Sequence, residues 1–238
     1  MSLALPQNLA QVHACADHDA LAEALAASVA ADLRAALAER GRASLALSGG
    51  TTPLRFFQAL SVQPLAWEQI HVTLVDERWV DEANPRSNAA LVRQHLLSGA
   101  AAAASFLPLY RDDAGGPEQS LAALETALAD LPLPLDVAVL GMGTDGHTAS
   151  FFPGGDWLDR ALDPAGRARV VPMHAPAAGE PRITLTLPVL AAARHLYLHI
   201  EGEQKAQVLR EALAAPAGPP IAAVLHATKA PVQTYWCP

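Results

Sequence analysis

The sequence predicts an α/β fold of doubly wound type: a mainly parallel sheet flanked by helices, Rossmann-like in architecture. Three observations carry this. Short apolar runs suited to buried strands alternate with Ala- and Leu-rich stretches suited to helices. Strands so placed belong to a parallel sheet covered on both faces. Three of the runs end in loops rich in glycine or charge, where sheets of this kind collect ligands.

In chain order, Asp17 to Arg40 reads as one long helix with few breakers. Leu21, Leu25, Val29, Leu33 and Leu37 recur as one apolar stripe, and Gly41 stands where a C-terminal cap belongs. ASLALS (43–48) is a buried strand. After GGTTP comes a helix from about Pro53 to Leu60, with Pro53 in the first turn, where its missing N–H costs nothing. The pattern then repeats: strand IHVTLV (70–75), loop DERWVDEANPRS, helix NAALVRQHLL (88–97). SFLPLY (105–110) is a shorter strand, RDDAGGP a loop and EQSLAALETALADL (118–131) a helix. DVAVLG (136–141) is a strand ending in the Gly-rich MGTDGHTASFFPGG. Strand-like RARVVPM (167–173), RITLTL (182–187) and HLYLHI (195–200) follow, then a helix from about Glu203 to Ala214 and a last strand near Val232 to Trp236. The Pro/Gly/Ala stretch 214–220 reads as a surface loop, and residues 1–238 as one domain.

Of 238 residues, 51% are hydrophobic and 17% charged, which excludes a disordered chain and allows a sizeable core. Lys plus Arg number 16 against 24 Asp plus Glu, a formal charge of −8. That acidity argues against a nucleic-acid partner, whose binding needs excess cations, but leaves room for a small anion held by a few of them. Cys15 and Cys237 stand near opposite ends, too sparse for a disulfide framework and without zinc spacing. No leader-like start and no apolar run of membrane-spanning length is present, so the expectation is a cytoplasmic protein, monomeric or a small homo-oligomer.

Three loops carry candidate chemistry. Ser48-Gly49-Gly50-Thr51-Thr52-Pro53 joins a strand to a helix; glycines, hydroxyls and a helix N-terminus suit a phosphate cradle, though an ordinary capped turn reads the same way. Asp76-Glu77-Arg78 puts three charges at the end of a buried strand. There Asp76 could orient a base or a sugar hydroxyl and Arg78 could clamp an anion, unless the charges only satisfy one another. In Gly141-Met142-Gly143-Thr144-Asp145-Gly146-His147 the formal GxGxxG lacks the acidic second strand of a dinucleotide site. A Gly turn delivering the His147 imidazole is the more economical reading, with Asp145 as its partner; a structural histidine is the bland alternative. Downstream, Arg182 opens a strand, and Lys205 sits near a helix N-terminus, where a bound anion would offset its unfavourable dipole.

Other features carry less. His195 and His199 have helical metal spacing, but HLYLHI alternates as a strand, with both imidazoles and Tyr197 on one face. No metal is expected. No G-x-S-x-G nucleophile elbow occurs.

Together the residues resemble the 6-phosphogluconolactonase family. The likeness runs through LSGGTTP (47–53), VDERWV (75–80), SN (87–88), LGMGTDGHTASFFPG (140–154), PRITLT (181–186) and G-x-x-K (202–205). The resemblance implies hydrolysis of 6-phospho-D-glucono-1,5-lactone to 6-phospho-D-gluconate in the oxidative pentose phosphate pathway, without a cofactor. On that reading neutral His147 is a general base on water, and Asp76 positions the ring or the base. Backbone N–H groups of the Gly-rich turn, with Arg78, stabilise the oxyanion, and Gly143, Asp145 and Gly146 contact the substrate. Ser48, Gly49, Gly50, Thr51, Arg182 and Lys205 hold the phosphate.

Two rivals belong beside it. The glucosamine-6-phosphate deaminase family shares the SGG, DE and GxGxxGH elements but continues with an N-E-P segment, where this chain reads Ser150-Phe151-Phe152-Pro153. A non-catalytic sugar-phosphate sensor would be expected to carry a DNA-binding module, and no basic recognition helix precedes Ser44.

Overall fold

A computed structural model describes residues 3, 5–113, 115–214 and 218–238. The chain opens with β1 (Ala10–Ala14) and α1 (His18–Arg40). Asp17 caps α1, its Oδ1 accepting from the Ala20 N–H at 2.8 Å, and the Gly41 N–H closes the far end on the Leu37 carbonyl at 2.8 Å. Leu21, Leu25, Val29 and Leu33 are fully buried, and Ala22, Ala26, Ala30 and Ala36 widen the stripe; Leu37 is only half-buried, because a strict four-residue repeat drifts around the helix. Then come β2 (Ala43–Leu47), α2 (Leu54–Ser61), β3 (Ile70–Leu74), β4 (Asp76–Arg78), α3 (Asn88–His95), β5 (Ser105–Leu107), α4 (Pro117–Ala129) and β6 (Val137–Leu140). The second half holds α5 (Leu158–Ala161), β7 (Val170–Met173), β8 (Arg182–Leu185), α6 (Leu187–Ala191), β9 (His195–Glu201), α7 (Glu203–Ala214), α8 (Pro220–Ala227) and β10 (Val232–Cys237).

Seven strands form one wholly parallel sheet in the order β1-β10-β9-β6-β2-β3-β5. Its inner strands are buried along their length, which explains their unbroken apolar sequence. From β2 the chain winds outward through β3 to β5. It then returns to β6, on the other side of β2, and continues to β9 and β10. The winding direction reverses between β2 and β6, and their carboxyl ends open the crevice where sheets of this type bind ligands.

Three sequence expectations need correction. Asp76–Arg78, expected in a loop, is a strand: it pairs antiparallel with β8 in a second sheet of order β4-β8-β7. Three charged residues have no apolar periodicity, so only the partner strand makes them extended. RARVVPM and RITLTL, read as further strands of a mainly parallel sheet, supply β7 and β8, the antiparallel rest of this small one. β1, α5, α6 and α8 were not anticipated; α5 and α6 are shorter than a helical pattern needs, and Gln11 and His13 interrupt β1. Of the surface loop expected at 214–220, residues 215–217 lie outside the described residues. Among the described residues no helix is long and apolar enough to cross a membrane.

Candidate active site

A cavity of about 310 Å³ opens at the carboxyl ends of β2, β3, β6 and β9. Ser48, Gly49, Gly50, Thr51, Asp76, Arg78, Gly143, His147, Arg182 and Lys205 all line it. Asp145 and Gly146, expected against the substrate, stand behind its wall instead. Asp145 faces the His147 ring, while Gly146 packs near Pro219 and accepts from the Ile221 N–H at 3.1 Å.

The switch point is stitched by Ser48. Its N–H donates to the Val139 carbonyl and its Oγ accepts from the Gly141 N–H, both at 3.0 Å, so the loops after β2 and β6 are one unit. Gly49 is fixed by space: a Cβ there would lie 1.8 Å from Asn88 Oδ1. The Asn88 Nδ2 in turn donates to the Asp76 carbonyl at 2.9 Å, joining the first loop to the second.

The three charges of β4 do not neutralise one another, as the bland reading had it. Asp76 Oδ2 accepts from Ser150 Oγ at 2.6 Å and lies 4.0 Å from Arg182 Nη1. Glu77 points away from the cavity and caps α3, taking the N–H groups of Asn88 at 2.8 Å and Ala89 at 2.7 Å, plus that of Arg78 at 2.8 Å. Burial pushes its carboxyl up to about 7 against the pull of these donors. Arg78 donates from Nη1 to the Arg86 carbonyl at 2.5 Å, and its buried Nε has no partner among the described residues.

Arg182 donates from Nη2 to the Ala178 carbonyl at 2.6 Å and lies 5.3 Å from the centre of the Phe152 ring. At 6% exposure its burial lowers the guanidinium pKa, an effect opposed by Asp76. Grouped with Lys205 in the sequence reading, it sits against the same phenyl ring as His147.

His147 is held on three sides. Its Nδ1 is 2.5 Å from Asp145 Oδ1, its ring stacks on Phe152 at 4.3 Å, and it lies over Gly143, where a Cβ would fall 2.3 Å from the ring. Burial alone would raise the Asp145 carboxyl, but the backbone N–H and ring of His147 together hold it below the usual carboxylate range. The turn is closed by Gly143 N–H to the His147 carbonyl at 2.9 Å and Gly146 N–H to the Gly143 carbonyl at 3.1 Å. The N–H groups of Gly141, Gly143, Gly146 and His147 are thus all taken up inside the protein. The backbone oxyanion site expected from the glycines has lost those four donors, while the guanidinium groups of Arg78 and Arg182 line the same cavity.

Lys205, half-buried in the first turn of α7, reaches Thr52 Oγ1 at 3.4 Å. Sequence reasoning missed Thr52, Thr148, Phe152 and His199 as wall residues. Thr148 Oγ1 donates to the Gly141 carbonyl at 2.7 Å. For His199 the signal existed: its face of an alternating strand also carries Glu201, and the two meet at 3.1 Å.

Comparison with known proteins accords with this geometry. The family profile described as glucosamine-6-phosphate isomerases/6-phosphogluconolactonase matches residues 16–236. A 6-phosphogluconolactonase of Mesorhizobium japonicum is 54% identical over 222 residues, covering 93% of each chain. That of Rhizobium meliloti is 52% identical over 231 residues, 96% of this chain and 99% of the relative. The crystal structure of a 6-phosphogluconolactonase from Shewanella baltica superposes with a TM-score of 0.91 at 39% identity, covering 96% of this chain and 98% of that one.

Proposed function

The chain belongs to the family of glucosamine-6-phosphate isomerases and 6-phosphogluconolactonases, and from that membership we propose that it hydrolyses 6-phospho-D-glucono-1,5-lactone to 6-phospho-D-gluconate. It is a lactone hydrolase of the oxidative pentose phosphate pathway. One observation carries the mechanism: the imidazole fixed by Asp145 opens on the same cavity as Arg78, Arg182 and Lys205.

With Nδ1–H donating to the Asp145 carboxylate, His147 Nε2 presents a lone pair to the cavity. It takes a proton from water as the oxygen attacks C1 of the lactone. The tetrahedral intermediate collapses with cleavage of the C1–O5 bond, and the imidazolium returns the proton to O5. General-base assistance of this kind contributes about 10²–10⁴-fold. Arg78 and Arg182 face the developing oxyanion with charge rather than neutral amides. Asp76, anchored by Ser150, keeps Arg182 in place and accepts from a ring hydroxyl. Lys205, Thr51, Thr52 and the N-terminus of α2 hold the distant phosphate. Because the site draws on loops from Ser48 to Lys205, we read residues 1–238 as one catalytic domain.

The deaminase alternative asks for a carboxylate after the histidine. In this chain Ser150 is committed to Asp76 and Phe152 to the imidazole, so neither position can open a sugar ring. The test is proton release during hydrolysis of phosphorylated and unphosphorylated gluconolactone, with spontaneous opening subtracted. We expect kcat/KM to favour the phosphorylated lactone by about two to three orders of magnitude, the usual worth of a desolvated charge contact. No turnover above the spontaneous rate, or ammonia release from glucosamine 6-phosphate, would displace the reading.

A further inference from the structure

Lys205 faces two opposed demands. To hold an anion it must stay charged in a half-buried place, yet a carboxylate bonded to it would quench it. Burial does lower its pKa below the ordinary lysine value, and Glu201 works in the other direction. Among the described residues, however, no ion pair joins the two.

The reason lies at the end of β9. Glu201 Oε1 lies 3.1 Å from His199 Nε2, and Oε2 lies 3.5 Å from His18 Nε2 on α1. One carboxylate oxygen is therefore hydrogen-bonded to an imidazole, and the other faces a second imidazole at ion-pair distance. His199 is 2% exposed, sits edge-on to Phe56 at 6.2 Å and lines the cavity that holds Lys205; its Nδ1 is buried with no partner among the described residues. The Glu201 carboxyl is itself held below its usual range: burial would raise it, but the His199 hydrogen bond and the charges of His199, His18 and Lys205 outweigh that. Across the sheet, Cys237 pairs with Glu201 in register, and its thiol is pushed up to about 11 by burial and by Glu201. Cys15, Asp17 and Arg55 also act on that thiol, and Arg78, Arg182 and His147 share the cavity with Lys205.

We propose that Glu201 is a positioning residue for Lys205: clamped by His199 and His18, it supplies the countercharge for the ammonium while leaving Nζ free for an anion in the cavity. This rests on the reading that Lys205 meets the substrate phosphate.

The chain has two lysines, Lys205 and the exposed Lys229, so ¹³Cε-lysine NMR resolves the ammonium directly, with Lys229 as internal reference. In Glu201→Gln the Lys205 titration midpoint falls by about one unit relative to wild type, the lower end for loss of a nearby opposite charge, and Lys229 does not move. Glu201→Asp, which keeps the charge but draws it back, shifts Lys205 less in the same direction and serves if the glutamine variant does not fold. With inorganic phosphate as probe, the alkaline loss of binding moves down in pH alongside the NMR midpoint. In a Lys205→Arg background the same substitution leaves that loss where it was, since a guanidinium stays charged. An unchanged Lys205 midpoint in both Glu201 variants overturns the proposal. The NMR result stands apart from turnover: absent lactone hydrolysis in the wild type would count against the proposed function alone.

Discussion

At the scale of single residues the site is built on close approach. His147 lies over Gly143 because no side chain intervenes, and Asp145 two residues earlier can reach back to its Nδ1 at 2.5 Å. That carboxylate fixes which ring nitrogen carries the proton, so its loss should damage chemistry and spare binding. Asp145→Asn is expected to lower kcat at least about 10-fold with little change in KM; a normal kcat would mean Phe152 and Gly143 orient the ring unaided. Lys205→Ala should act in the opposite way, raising KM for the phosphorylated lactone by about 10-fold or more while kcat changes little. An unchanged KM would put the phosphate elsewhere. Asp145 and Gly146 show what a motif hides. The sequence offered Asp145 both as the partner of the imidazole and as a substrate contact, and the structure places it at the imidazole, two residues before the histidine; spacing alone does not separate the two roles.

At the scale of elements the instructive case is β4. IHVTLV was legible as a strand because it is buried on both faces, whereas Asp76–Arg78 carries no periodicity and becomes a strand only by pairing with β8. The same three residues then do separate work. Asp76 and Arg78 face the cavity, and Glu77 turns the other way to begin α3, as alternation along a strand requires. Glu77 is fully buried, with its carboxyl raised to about 7 from an ordinary 4.5. A raised carboxyl stabilises the fold below its ordinary value and loses that contribution as pH climbs through the folded value. Wild-type stability relative to Glu77→Gln should therefore fall by about 3 kcal/mol between pH 4.5 and 7 in denaturant titrations. A difference that does not vary with pH would show that the helix N-terminus and its three N–H donors keep the carboxylate charged throughout.

For the molecule as a whole, the sequence revealed the winding but not the second sheet. Alternating apolar runs and helices sufficed for a parallel doubly wound core, and the three loops singled out do meet at one crevice. The order of strands was not legible, because each inner strand is equally apolar and pairing is decided by crossovers that leave no local mark. Nor was the meeting of the chain's two ends: β1 and β10 pair in register, and the Cys15 N–H donates to the Trp236 carbonyl at 2.8 Å. That edge matters to function. β10 lies against β9, whose end carries Glu201, and the Gly202 N–H donates to the Cys237 carbonyl at 2.9 Å just before the helix bearing Lys205. The β9 loop thus brings Lys205 to a crevice whose imidazole comes from the neighbouring β6 loop. Steady-state kinetics of His147→Ala alongside calorimetric binding of 6-phosphogluconate separates the work of the two loops. The variant's kcat should be lower by about 10²–10⁴-fold, with product affinity within about threefold of wild type. Turnover close to that of the wild type, with the same product affinity, would contradict that separation.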